Sequence, residues 1–187
     1  MPLSSLRRAS LDTLLRDHWI AEEDGGTTAL IERLREAKNR GYLRLSELLA
    51  VCRWKSPRSI AHVLRNTPYR VRRATAAVLR TQDERERFDA LLALHGVSVP
   101  TASSVLTMLE PDRYGVIDIR VWQLLRAARA VEGNPRGAGF TFEQWRAFVY
   151  VIRDLAARHG ASPRAVERSL FAAHRFHQQG LLYGRRR

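Results

Sequence analysis

A single cysteine, Cys52, stands in the 187 residues. That scarcity excludes an internal disulfide, and it excludes an iron–sulfur cluster or a structural zinc held by several thiolates of one chain. Lysine is nearly as rare, with only Lys38 and Lys55 among 32 basic residues. No apolar run approaches the roughly eighteen residues of a membrane helix. The opening "MPLSSLRRASLDTLL" also lacks the apolar centre of a signal peptide, so an intracellular protein is expected. Period-2 alternation is missing as well, and no strand is predicted.

Acidic residues are outnumbered, 19 against 32 basic ones, leaving a net charge of +13. A G- and C-rich coding bias accounts for arginine in place of lysine, but not for an excess of cations over anions. A field of this sign over so small a chain attracts polyanions, nucleic acid above all. The 45% apolar content is that of an ordinary globular protein. The length suits a single domain over residues 1–187, built as two lobes sharing one core.

Helical periodicity runs through the chain, predicting an all-α fold of nine or ten short helices. Leu11, Leu14, Leu15 and His18 share one stripe. "TTALIERLREAKNRG" starts at Thr27-Thr28 and stops at Gly41. Ser56-Pro57 and Thr67-Pro68 each read as a cap followed by proline at the first helical position. Helices are also expected in "DERERFDALLAL", from Ser98 onward, from Asp118, and in "TFEQWRAFVYVIRDLAARHG" and "SPRAVERSLFAAHRF". The Gly/Pro-rich "EGNPRGAGF", Glu132 to Phe140, is the longest loop and the expected boundary between lobes. The tail 180–187, "GLLYGRRR", is expected to fray.

Residues 83–109 carry the first functional signal. Two helices meet there through His95-Gly96-Val97-Ser98, a reversal tight enough to need the backbone freedom of Gly96. The second helix would present first-turn N–H groups around Ser98 to Thr101, and such donors at the positive end of a helix dipole suit a phosphate. Val97 is expected to tuck inward and hold the turn rigid.

"LHGVSVPTA" has the form of a helix-hairpin-helix backbone clamp, with Ser98 where that motif usually has its second glycine. Asp118 follows Gly96 by 22 residues (118 − 96), inside "IDIRVW". Hairpin and aspartate together resemble the helix-hairpin-helix (HhH-GPD) DNA glycosylase superfamily, whose clamp is followed by a "V-D-x-H/R-V"-like segment. The resemblance is strongest over Phe88 to Leu125, extends to the helices of Tyr42 to Arg80, and is weak at both ends. It implies double-stranded DNA as partner, base flipping, and Asp118 as the catalytic carboxylate. Breaking an N-glycosidic bond develops positive charge on the sugar, which a carboxylate beneath it stabilises. An aspartate before "IRVWQLLRAARA" is equally an ordinary helix N-cap, and the two roles are compatible.

Members that also nick the strand carry a lysine where this chain has Pro100, so the resemblance implies a monofunctional enzyme leaving an abasic site. The iron–sulfur cysteines of some branches are absent, and no cofactor is expected beyond a monovalent cation at the hairpin carbonyls. Gly96, Val97, Ser98, Thr101, Lys55 and Arg120 are the expected DNA contacts. Trp54 or Lys55, in "CRWKSPRS", would fill or line the space left by a flipped base. Trp122 either walls the base pocket or belongs to the core, the commoner fate of such a residue. Arg58, Arg65, Arg70, Arg72 and Arg73 read as a general phosphate-attracting face. Glu47 is a candidate second carboxylate, and His174 and His177 read as surface residues.

A monomer located in the cytoplasm with the nucleoid is expected. The substrate is left open between a damaged base, in repair, and a deliberately modified base such as a hypermodified cytosine of phage DNA. Two readings from other classes stand beside this one. The first is a non-catalytic helix-hairpin-helix DNA-binding module, indifferent to Asp118→Asn. The second is a helical RNA-associated or protein-interaction domain with no preference for duplex DNA.

Overall fold

A computed structural model describes Arg7 and residues 10–177. The tail 180–187 lies outside the described residues. Among them are ten α-helices and no strand, so the fold is all-α. No helix among them is long and apolar enough to cross a membrane. The chain divides into two compact units. One comprises Met1–Glu22 with Arg113–Arg187, and the other Glu23–Asp112. The division therefore falls at 22/23 and 112/113, and the expected boundary at Glu132 to Phe140 is corrected. Asn134 ties that loop into its own unit. Its Nδ2 donates to Ala138 O (3.0 Å) and Gln144 Oε1 (3.1 Å), and its O accepts from Trp122 Nε1 (2.9 Å).

The Glu23–Asp112 unit holds α2 (Gly25–Arg40), α3 (Leu45–Lys55), α4 (Ile60–Val63), α5 (Pro68–Arg80), α6 (Glu84–Leu92) and α7 (Val99–Leu109). Helix α2 begins two residues before Thr27, because Asp24 Oδ1 accepts from Thr27 N at 2.9 Å. It ends where Gly41 turns left-handed at φ +86°. Helix α5 starts at Pro68, with Thr67 Oγ1 accepting from Arg70 N. Ser56 makes no such bond. Pro57–Ser59 forms a 3₁₀ turn before the single turn of α4, in place of the longer helix expected there.

Helix α7 packs on α2, α3 and α6, and α5 packs on α6. Leu34, Leu48, Val51, Cys52, Phe88, Leu91, Ala102 and Val105 are buried. Burial pushes the Cys52 thiol up to about 11, so it is an inert apolar core group. Arg87 is buried with its charge matched: Nη1 donates to Glu110 Oε2 (2.6 Å) and Nε to Thr81 O (2.8 Å). Lys38 Nζ reaches Glu110 Oε1 at 2.9 Å. Burial works to raise the Glu110 carboxyl, but the hydrogen bonds and charges of Arg87 and Lys38 prevail and lower it to about 2.

The other unit holds α1 (Ser10–Asp17), α8 (Ile119–Ala127), α9 (Phe142–His159) and α10 (Pro163–His177), with α10 packed against the other three. Leu11, Leu14 and Leu15 are buried, as their stripe requires. Thr141 and Gln144 close a capping box at the start of α9, and Gly160 ends it left-handed. Trp122, Trp145, Tyr114 and Phe148 form the aromatic centre of this core. Trp122 is 0% exposed and meets Phe140 edge-on at 5.4 Å. It has no exposed surface to wall a base pocket and belongs to the core, the commoner of the two fates expected for it.

Candidate nucleic-acid interface and acidic site

The turn between α6 and α7 is held from outside by the α4–α5 segment. Asn66 grips the His95 peptide at both ends: Oδ1 accepts from His95 N (2.9 Å) and Nδ2 donates to His95 O (2.9 Å). The same Nδ2 donates to Val63 O, which joins the turn to the end of α4. Arg70 adds a second latch, with Nη2 donating to Ala93 O (2.6 Å) and Nη1 lying 3.1 Å from His95 Nε2.

Gly96 sits at φ +76°. A Cβ there would lie 2.8 Å from both His62 Cβ and Val63 N, so glycine is required on two counts. The connection runs from Ala93 to Ser98, two residues longer than expected, because α6 ends at Leu92.

Val97 is buried at the tip, which agrees with its tucking inward and corrects its side chain as a DNA contact. Ser98 is exposed and extended, and its side chain makes no hydrogen bond to the backbone of α7. Its Oγ lies 3.3 Å from Thr101 Oγ1. Thr101 itself is only 1% exposed, so its expected DNA contact is corrected to a support for Ser98. The carbonyls of Ala93, Leu94 and His95 each accept a hydrogen bond, from Arg70, Val97 and Asn66 respectively. Arg70 thus brings a fixed positive charge to the carbonyl edge where a monovalent cation was expected.

The flanking surface is basic. Arg58, Arg65, Arg70, Arg72 and Arg73 are exposed, as are His62 and His95, with Leu64 and Tyr69 standing out among them. Arg72 lies over the Tyr42 ring at 4.4 Å. Trp54 is partly exposed, but its Nε1 donates to Thr27 Oγ1 at 2.8 Å, which anchors the end of α3 to the start of α2. Lys55 beside it is half-buried as the last residue of α3. Glu47 is buried and accepts from Arg40 Nη2 and Arg44 N, both at 2.6 Å. It is a helix-start fixture, and the second-carboxylate expectation is corrected.

Asp118 belongs to the other unit and stands at the N-cap of α8. Its backbone is extended, and its Oδ1 accepts from Arg120 N at 2.9 Å. The carboxylate is half-buried. The segment leading to it is clamped by groups that the sequence did not single out. Arg153 Nε donates to Arg113 O (2.9 Å) and its guanidinium lies over the Tyr114 ring at 4.9 Å. Gly115 is pressed on α10, where a Cβ would come within 2.9 Å of Glu167 Cβ. Val116 N points at Glu167 Oε2 (3.4 Å), and that oxygen also accepts from the buried Arg164.

Arg120 is half-buried with its guanidinium over Phe171 at 5.5 Å. One turn further along α10 is His174, expected at the surface but 1% exposed. Neither of its ring nitrogens has a hydrogen-bond partner among the described residues. Burial, then the Arg120 charge, lower its pKa against an opposing pull from Asp118. Burial and Arg120 thus favour the neutral form of His174, which lies within the electrostatic reach of the Asp118 carboxylate. Comparison with protein-family models, curated proteins and solved structures gave no match.

Proposed function

We propose that this protein is a monofunctional DNA glycosylase that flips a damaged or modified base from double-stranded DNA and hydrolyses its N-glycosidic bond. The observation that carries the reading is the presence in one chain of two features. One is a glycine-hinged turn braced by Asn66 and Arg70, with Ser98 exposed at the start of α7. The other is a half-buried carboxylate, Asp118, at the end of a clamped segment. The turn and its exposed arginines suit a phosphate backbone.

In this reading Asp118 stabilises the positive charge that develops on the deoxyribose, more in the transition state than in the ground state. The electron pair of the C1′–N bond leaves with the base. Water adds at C1′ and passes a proton to the carboxylate, leaving an abasic site. Pro100 has no amine to form a Schiff base, so the strand is left intact.

One observation favours the non-catalytic DNA-binding module instead: the Asp118 carboxylate already serves α8 by accepting from Arg120 N. The deciding experiment measures abasic-site formation on duplexes carrying damaged bases and phage-type modified cytosines, with DNA binding followed by fluorescence anisotropy. Wild type is run beside Asp118→Asn. Abasic sites that vanish in a variant that still binds support the glycosylase and name its substrate. Binding without abasic sites on any duplex leaves the binding module.

A further inference from the structure

Away from both regions, His18 follows the end of α1 and His177 closes α10, and their Nε2 atoms lie 3.3 Å apart. The rings stand nearly perpendicular, at 88°, with centroids 5.2 Å apart. Phe176, 76% exposed, contacts both rings at 5.0 and 5.1 Å.

The crossing that brings them together is pinned by other bonds. Ile20 N donates to Ser169 Oγ (3.0 Å), and Arg168 Nη2 donates to Ile20 O (2.7 Å) and Ala21 O (3.3 Å). These bonds hold the segment after His18 against the middle of α10, about two turns before His177.

The separation of the two Nε2 atoms is long for a good nitrogen-to-nitrogen hydrogen bond. It does match the edge of a coordination tetrahedron: a zinc ion with Zn–N bonds of about 2.0–2.1 Å keeps its ligand nitrogens about 3.3–3.4 Å apart. Burial, followed by the neighbouring positive charges, holds His177 below the ordinary histidine value. A metal takes the unprotonated ring nitrogen, the form that these effects favour at His177. The exposed Asp17 carboxylate acts electrostatically on His177 in the opposite sense, with a smaller effect than those positive charges.

We propose that His18 and His177 form a binding site for a borderline divalent cation such as Zn²⁺, clipping α1 to α10 through their Nε2 atoms. Among the described residues no group of three or more His, Cys, Asp or Glu is placed to hold a metal, so water completes the coordination. Imidazole donors suit zinc, nickel and copper and are poor ligands for magnesium or calcium.

The test uses the full chain without a polyhistidine tag, stripped of metal. Zinc chloride is titrated calorimetrically into wild type, His18→Gln and His177→Gln, and each is melted with and without zinc. The expected result is one zinc per wild-type chain, a rise in Tm with zinc, and loss of both in either variant. The variants should keep the wild-type melting behaviour in the absence of zinc, because neither ring is a core residue. Equal zinc binding in all three chains would assign the metal to other histidines and overturn the proposal. So would the absence of any zinc-dependent heat or Tm shift in wild type, leaving a pair that only shares a proton. Neither outcome bears on base release, which is read with different substrates.

Discussion

Asn66 and His95, 29 residues apart in the chain, are joined by a reciprocal pair of hydrogen bonds, each 2.9 Å long. This arrangement substitutes a side-chain amide for the neighbouring strand that the His95 peptide lacks. A tight turn at the surface of an α protein has no ladder to satisfy its peptides, and an unpaired buried group is costly. Asn66→Ala should therefore destabilise the chain by about 2–3 kcal/mol. The loss should be visible as a lower urea midpoint, with faster amide exchange concentrated at residues 93–98. An unchanged exchange pattern there would show that the turn holds itself.

Gly96 adds a separate constraint. Its φ of +76° disfavours any side chain, and the nearest obstacle to a Cβ includes the backbone of Val63, which cannot swing aside. Gly96→Ala should cost about 1–3 kcal/mol. On the proposed function it should also weaken DNA binding in anisotropy more than Arg58→Ala does, because it displaces the turn itself and not one cation on its rim.

How much of this was legible beforehand follows the reach of each signal. Thr67-Pro68, Gly41, Gly96 and the cap at Asp118 act within a few residues, and each was found where its local chemistry placed it. Ser56 carried the same signal as Thr67, but its φ of −152° and ψ of +79° point the chain into a 3₁₀ turn. The longest loop misled as a boundary, because Asn134 folds it back by side-chain bonds that composition does not reveal. Partners such as Glu167 and Val116, 51 residues apart, carry no local pattern at all. His174 sits on a helix whose sequence left its face ambiguous, and the packing of α10 on α8 accompanies its burial.

Glu110 makes stability depend on acid. Its carboxyl is lowered from an ordinary 4.5 to about 2 in the folded chain by Arg87 and Lys38, against the opposing effect of burial. A depressed folded value contributes stability that is complete above the unfolded value, near 4.5, and is lost as pH falls toward 2. For a half-buried group the contribution is about 2 kcal/mol. Urea midpoints measured from pH 6 down to pH 2.5 should fall more steeply for wild type than for Glu110→Gln. Parallel curves would show that the Arg87 pair contributes nothing to acid sensitivity.

Arg164 and Glu167 form a buried ion pair three residues apart on α10, at the point where Gly115 and Val116 approach. Removing one charge leaves the other buried and unmatched, so Glu167→Gln should cost about 3 kcal/mol. The double variant Arg164→Met, Glu167→Leu should recover most of that loss, because apolar packing often replaces a buried pair without penalty. Thermal melts of wild type and the two variants provide the comparison. A double variant no better than Glu167→Gln would mean that the pair's bond to the Val116 peptide outweighs its internal balance.

Asp118 separates structure from chemistry through the choice of replacement. Asparagine caps a helix about as well as aspartate, since either side-chain oxygen can accept from Arg120 N. Asp118→Asn should therefore leave stability within about 0.5 kcal/mol of wild type, and Asp118→Ala should lose about 1 kcal/mol. Base release should disappear in both, because an amide cannot stabilise a cationic sugar as a carboxylate does. Denaturation midpoints and abasic-site yields on the same preparations test the two halves independently. If Asn preserves stability and any base release alike, the carboxylate has no chemical task and the residue is only a cap. If Asn preserves stability while release is lost, capping does not explain why the charge is there.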